Sequence, residues 1–101
     1  MAKQIIWSIR AQNDRKDILK YWIQRNKSQK YSRKLARLFK EAVKLVANYP
    51  EIGKSTDDKY VRIKLVRDYL IVYEISEKRI FILTIWDSRQ DPGKLKNRLE
   101  R

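Results

Sequence analysis

The sequence predicts an α+β fold in which two helices pack on one face of a small, mainly antiparallel sheet. An apolar stripe with the three-four spacing of a helix runs from Tyr31 to Tyr49. Three strand-like segments follow between Tyr60 and Asp87. A short apolar segment precedes the helices, so the expected order is β-α-α-β-β-β in a single domain, residues 1–101.

The first half of the chain predicts one strand and two helices. Residues 3–8 (KQIIWS) form the strand, and Ser8 is a suitable N-cap for a helix that extends to about Arg25. The helical spacing is then interrupted, and Ser28 is expected to cap the second helix. Pro50 ends that helix, because proline disfavours helical geometry in the residue before it.

The second half predicts a loop, three strands and a tail. Residues 50–59 (PEIGKSTDDK) combine Pro, Gly and mixed charge, which is typical of a loop. The strands are expected at about 60–66, 68–76 and 79–87, with a tight turn between the last two. The middle strand has apolar residues on both faces, so we expect it at the centre of the sheet. Residues 94–101 form a basic tail of one or two helical turns.

The charge of the chain indicates the kind of partner it has. Lys and Arg number 25 against 12 Asp and Glu, which gives a net charge of +13 and favours nucleic acid or an acidic protein as partner. No apolar segment approaches the roughly 20 residues of a membrane span, and with no export signal a cytoplasmic location is expected. The chain has no Cys and no His, so disulfides, thiolates and the usual neutral base are excluded. No metal or other cofactor is expected.

Two cations on the first of the three strands form a candidate phosphate site. Arg62 and Lys64 are two residues apart, so they share a face at about 6–7 Å. Val61, Ile63 and Leu65 share the other face and are expected to be buried, which leaves the cations facing solvent. Arginine offers a bidentate fork and lysine a point charge. The alternative is an ordinary solvated strand of a basic protein.

Arg89 is the third candidate, since it stands just past a strand that would hold it rigidly while solvent reaches it. The alternative is a surface ion pair with Asp87. We expect Tyr69 and Tyr73 in the core, and Asp14 at the helix dipole or paired with a neighbour. Five cations on the second helix are interpreted as a solvated face: Lys30, Arg33, Arg37, Lys40 and Lys44.

The order of four segments resembles the RelE/ParE superfamily, the toxins of bacterial type II toxin–antitoxin modules. The opening IIWSIRAQND is similar to that family's first strand and helix. The helix exit at 45–53, the paired strands at 61–64 and 68–75, and the closing strand from Ile80 to Arg89 complete the likeness. The resemblance spans the whole chain.

The resemblance implies a small toxin that a cognate, acidic antitoxin neutralises. In the branch that cleaves ribosome-bound mRNA without a metal, Arg62 and Lys64 match strand lysines that bind and activate the RNA, and Arg89 matches a phosphate-stabilising arginine. This chain departs from that branch, because Leu70 follows Tyr69 where an arginine is frequent and no His or Tyr stands near the C-terminus. The branch that inhibits DNA gyrase shares the fold and lacks the ribonuclease residues. The target is therefore the ribosome with its mRNA or DNA gyrase, and a general nucleic-acid-binding domain is the third alternative.

Overall fold

Two helices lie on one face of a five-stranded sheet in the computed structural model, which describes residues 2–90 and 93–95. The elements are β1 Gln4–Trp7, α1 Ile9–Asn26, α2 Lys30–Asn48, β2 Lys54–Ser55, β3 Val61–Val66, β4 Tyr69–Ile75 and β5 Arg79–Asp87, with a 3₁₀ turn at Pro50–Ile52. The predicted α+β fold is confirmed.

The strand order is β1-β5-β4-β3-β2. β1 runs parallel to β5, with Gln4 opposite Arg79, and all other neighbours are antiparallel. The sheet is thus mainly antiparallel, as predicted, and β4 is its central strand. A register shift follows Val72, where β5 has one extra residue.

The core lies on both faces of β4. Tyr69, Ile71 and Tyr73 face the helices and are at most 3% exposed, which confirms both tyrosines as core residues. On the opposite face, Val72 packs with Trp86 in a second, smaller cluster. Burial on both faces explains why the apolar residues of this strand are nearly continuous.

Polar side chains fix the beginnings of the two helices and connect α1 to the sheet. The Ser8 Oγ accepts a hydrogen bond from the Ala11 backbone N–H at 3.0 Å, which confirms the predicted N-cap. Gln29 and not the predicted Ser28 occupies the N-cap position of α2, but it makes no side-chain cap bond, and the Ser28 Oγ accepts a hydrogen bond from the Lys30 backbone N–H at 3.2 Å. Asp14 accepts hydrogen bonds from the Thr84 hydroxyl and from the Ile85 N–H, so it pairs with β5 across the sheet interface.

The segment 50–59, predicted as a loop, contains a 3₁₀ turn at Pro50–Ile52 and the short strand β2. The Tyr73 hydroxyl donates to the Pro50 carbonyl at 2.6 Å and accepts from the Gly53 N–H at 3.0 Å. These bonds hold the 3₁₀ turn against the sheet, and the two residues of β2 then pair with β3. A partner 20 residues away along the chain supplies the constraint, so local turn signals could not reveal it.

The predicted orientation of β3 is wrong. Arg62 pairs with Tyr73 and Lys64 with Ile71, so both cations lie on the face that carries the helices. Val61 and Ile63 belong to the opposite face, with the smaller cluster. Leu65 shares that face but is 57% exposed. The alternating pattern identifies two faces, but here both faces of the sheet are covered, so the pattern alone does not decide which one the helices take.

The predicted basic tail at 94–101 lies outside the described residues except for its beginning. Residues 93–95 are helical, and Leu95 is 8% exposed against the cluster of Val72 and Trp86. Within the described part of the chain, no helix is long and apolar enough to cross a membrane.

We predict that Gly53→Ala lowers the free energy of unfolding by about 1–3 kcal/mol, because overpacking a filled site forces neighbours to move. A Cβ on Gly53 would overlap the Tyr73 hydroxyl and lie 2.8 Å from its Cε1 and 2.9 Å from the Ile63 carbonyl oxygen. Urea unfolding provides the measurement. Ser55→Ala, at an exposed neighbouring position, is the control and should change stability by less than about 0.5 kcal/mol. Equal stability of the two variants would contradict the prediction.

Candidate functional site

Arg62 is engaged with the backbone of the 3₁₀ turn. Its Nη1 donates to the Gly53 carbonyl at 2.8 Å and to the Glu51 carbonyl at 3.2 Å, while its Nε is buried and has no hydrogen-bond partner among the described residues. Together with the Tyr73 hydroxyl, it forms what we call the Arg62–Tyr73 clamp on residues 50–53. The guanidinium therefore has a structural task, and two of its donor directions are already used.

The Tyr73 hydroxyl of the clamp is buried, and this burial raises its pKa, because a phenolate would lose its hydration. The hydrogen bond from the Gly53 N–H and the charge of Arg62 lower the pKa, but they offset the effect of burial only in part. The hydroxyl accordingly stays protonated and keeps donating to the Pro50 carbonyl. It is placed to hold the turn rather than to take up a proton.

Lys64 shares the face of Arg62, as the sequence predicted, and is half-buried beside α2. It lines a groove between α2 and β3 together with Leu38, Leu45 and Leu65. Among the described residues, no carboxylate lies within ion-pair distance of its ammonium. Lys64 is thus the more accessible of the two strand cations for a ligand.

Arg89 forms the ion pair with Asp87 that the sequence analysis gave as the alternative. Its Nε and Nη2 donate to the two carboxylate oxygens at 3.0 and 2.8 Å. The bond from Arg89 is the main cause that lowers the pKa of Asp87. A lowered pKa contributes stability that is present above the unfolded-state value and is lost as the pH falls through the folded-state value. The Arg89 side chain is 55% exposed and that of Asp87 is 20% exposed, so solvent screening on the Arg89 side keeps this contribution small.

The three candidate cations do not converge on one point. The register sets Arg62 at the level of Tyr73 and Asp87 at the level of Tyr69, two strands away. Four residues along a strand amount to about 13 Å and two interstrand steps to about 10 Å. Arg62 and Arg89 are therefore too far apart to contact one phosphate group together.

Arg89 instead borders a groove between α1 and the end of β5. The groove has a volume of about 410 Å³, and Asp14, Asp17, Tyr21 and Tyr69 line its other side. The Trp22 indole N–H donates to the Tyr69 hydroxyl at 2.8 Å, and burial is the main cause that raises the pKa of that hydroxyl. The sequence analysis did not connect these residues with Arg89, because α1 and β5 meet only in the folded chain.

The groove between α2 and β3 combines apolar surface with an open sheet edge. β2 pairs with β3 only at Ile63 and Arg62, so along 64–66 no strand lies on the outer side of β3 within the part of the chain that the structure describes. Leu65 is 57% and Leu45 38% exposed in this region. An unpaired edge beside exposed leucines is suited to receive an extended segment of another protein.

The described residues contain no group of three or more carboxylate side chains arranged to hold a metal ion.

Comparisons with known proteins place the fold among bacterial toxins. A family model described as the ParE toxin of the type II toxin–antitoxin system parDE matches residues 5–92. A solved structure described as the chromosomal ParDE TA system from P. aeruginosa matches with a TM-score of 0.70 and 18% sequence identity. The match covers 83% of this chain and 94% of that chain, and at this identity it establishes the fold alone. No curated protein sequence matches the chain.

The clamp predicts that the two strand cations differ in their effect on stability. Arg62→Ala should lower the free energy of unfolding by about 1–2 kcal/mol, because two charge-assisted hydrogen bonds to the turn are lost. Lys64→Ala is the matched control on the same face and should stay within about 0.5 kcal/mol of the original protein. Urea denaturation of both variants measures the difference. If Arg62→Ala is as stable as Lys64→Ala, the clamp does not hold the turn.

Proposed function

Because the chain belongs to the ParE toxin family of type II toxin–antitoxin systems, we propose that it arrests growth by binding DNA gyrase, without cleaving RNA. The observation that carries this proposal is the position of Arg62. A phosphate-binding arginine needs accessible donors, whereas two carbonyl groups of the 3₁₀ turn already occupy Arg62 Nη1 and the Nε is buried.

The arrangement of the other two cations supports the same proposal. Arg89 is held bidentately by Asp87 and lines the groove beside α1, whereas Lys64 lines the groove between α2 and β3. Phosphoryl chemistry by preorganised cations requires them around one reacting phosphate. The chain also has no His, so a lysine would have to act as the base.

The endoribonuclease hypothesis, with Arg62, Lys64 and Arg89 as catalytic residues, stays a prediction that can be tested with the same protein. Lys64 and Arg89 are the positions best suited to this test, because neither takes part in the clamp. Arg62 is less suited, because its substitution also changes the stability of the fold. The double variant Lys64→Ala/Arg89→Ala therefore separates catalysis from folding.

We expect Lys64→Ala/Arg89→Ala to arrest growth as the original chain does and to inhibit supercoiling by purified gyrase. Primer extension on a message translated by purified ribosomes should show no cuts with either protein. Cuts that the original chain makes and the double variant does not would overturn gyrase binding and establish the ribonuclease. Arg62→Ala is the third variant. Its activity is compared with that of the others only after its thermal midpoint has been measured, because this substitution also changes stability.

An antitoxin is the partner that the family implies, and we propose the groove between α2 and β3 as its docking site. An extended antitoxin segment would pair with the open edge of β3 and place apolar side chains against Leu45 and Leu65. Lys64 and Arg67 stand at this groove against one acid, Glu41, so acidic side chains of the segment would find a net opposite charge.

The docking site predicts a local effect of a buried charge. Leu45→Glu should weaken antitoxin binding at least about tenfold, because the carboxylate on α2 repels the acidic segment and loses its hydration when the segment covers it. Ile9→Glu is the matched control, since Ile9 is 78% exposed and lies away from this groove. Calorimetric titration with the antitoxin gives both affinities. Equal losses in the two variants would show that the segment does not use the groove.

A further inference from the structure

The tip of the helical hairpin carries positive charge without any acid. We define the basic tip as residues 18–40, which comprise the end of α1, the connecting turn and the first half of α2. Asp17 and Glu41 border this segment, and no Asp or Glu lies within it. All eight of its cations are exposed: Lys20, Arg25, Lys27, Lys30, Arg33, Lys34, Arg37 and Lys40.

The cations of the basic tip are largely without acidic partners. Arg37 approaches Glu41 at 3.9 Å, with both side chains about two-thirds exposed, and Arg33 donates to the Gln29 side chain at 2.7 Å. No other cation of the tip forms an ion pair with a described residue. This differs from Arg62 and Arg89, whose charged groups are engaged within the protein. Eight like charges with so little internal compensation repel one another, so a polyanionic ligand would relieve that repulsion.

Four of these cations form a row along one face of α2. Lys30, Lys34, Arg37 and Lys40 succeed one another on the face opposite the core, and at 1.5 Å per residue they span about 15 Å. The N-terminus of α2 adds the positive end of the helix dipole, and no acid stands in its first turn. A groove of about 650 Å³ opens beside this row, lined by Ser28, Tyr31 and Arg33 among others.

We propose that the basic tip binds the phosphate backbone of nucleic acid, independently of base sequence. A phosphate backbone presents regularly spaced charges, which match a row of exposed cations at successive helical turns. Exposed polar side chains accompany the row at Gln24, Asn26, Ser28 and Gln29, and they can donate to phosphate and sugar oxygens.

An acidic protein segment fits this surface less well. Tight protein interfaces use apolar or aromatic anchors in desolvated pockets. On the α2 part of the tip, Leu35 and Phe39 are fully buried in the core and Tyr31 and Leu38 are partly buried, so the exposed apolar side chains of the tip are Tyr21 and Ile23 of α1, at 50% and 36%. The exposed leucines of the molecule instead border the groove between α2 and β3. The structure thus offers separate surfaces for a protein segment and for nucleic acid, and this inference does not depend on which target the toxin has.

The test compares two variants with the same net charge. Lys30→Gln/Lys34→Gln/Lys40→Gln removes three charges from the basic tip, and Lys54→Gln/Lys59→Gln/Lys78→Gln removes three exposed charges elsewhere. Fluorescence anisotropy with a duplex DNA and with an RNA hairpin, over a series of salt concentrations, gives the slope of log K against log salt. We expect the tip variant to lose about 2–3 units of that slope, because each phosphate contact contributes about 0.9, while the control keeps it. The two probes distinguish DNA from RNA as the source of the phosphates.

Three results would overturn the proposal. Equal changes in the two variants would mean that net charge and not the tip governs binding. An unchanged slope in the tip variant would place the contacts elsewhere. Tighter binding of a glutamate-rich peptide than of either nucleic acid, lost in the tip variant, would assign the surface to an acidic protein. Circular dichroism should show the same helicity for all three proteins, since Gln and Lys have similar helix propensities.

Discussion

The hydroxyl of Tyr73 fixes the point where the chain passes from α2 to the edge of the sheet. It lies on the central strand, is fully buried, and binds both the Pro50 carbonyl and the Gly53 N–H. Arg62 completes this contact from the neighbouring strand. Because the turn is held there, β2 can pair with β3 but covers only two of its residues. The open edge of β3 and the groove beside it therefore follow from a contact in the core.

The positive charge of the chain serves two different purposes. Some cations hold the fold together: Arg62 binds the 3₁₀ turn, and the Lys3 ammonium donates to the Ser76 carbonyl at 2.8 Å across the end of the sheet. Others stand in solvent on the hairpin with few partners. Net charge counts both groups alike, so it indicates an anionic partner without locating the surface that binds it. The two groups differ in whether the cation already has a partner within the chain.

Local patterns predicted what is locally determined. Helical spacing identified α2, Ser8 was recognised as an N-cap, and continuous apolar character marked β4 as central. The errors concern contacts between distant residues. The alternation of β3 could not reveal which face the helices cover, because α2 and the cluster around Trp86 occupy opposite sides of the same sheet. Arg62 was expected in solvent for that reason, whereas the Asp87–Arg89 pair, two residues apart, was foreseeable as an alternative.

The parallel pairing of β1 with β5 determines when this protein can finish folding. Gln4 is joined to a strand that begins at Arg79, so β1 has no neighbour in the sheet until every other strand has been synthesised. Contacts over such a sequence separation form slowly, because a long loop must close before they stabilise the chain. The growing chain on the ribosome thus carries an unfinished sheet, and the complete surface of the toxin exists only once synthesis of β5 is over. A partner that recognises that surface therefore binds only after β5 has been synthesised.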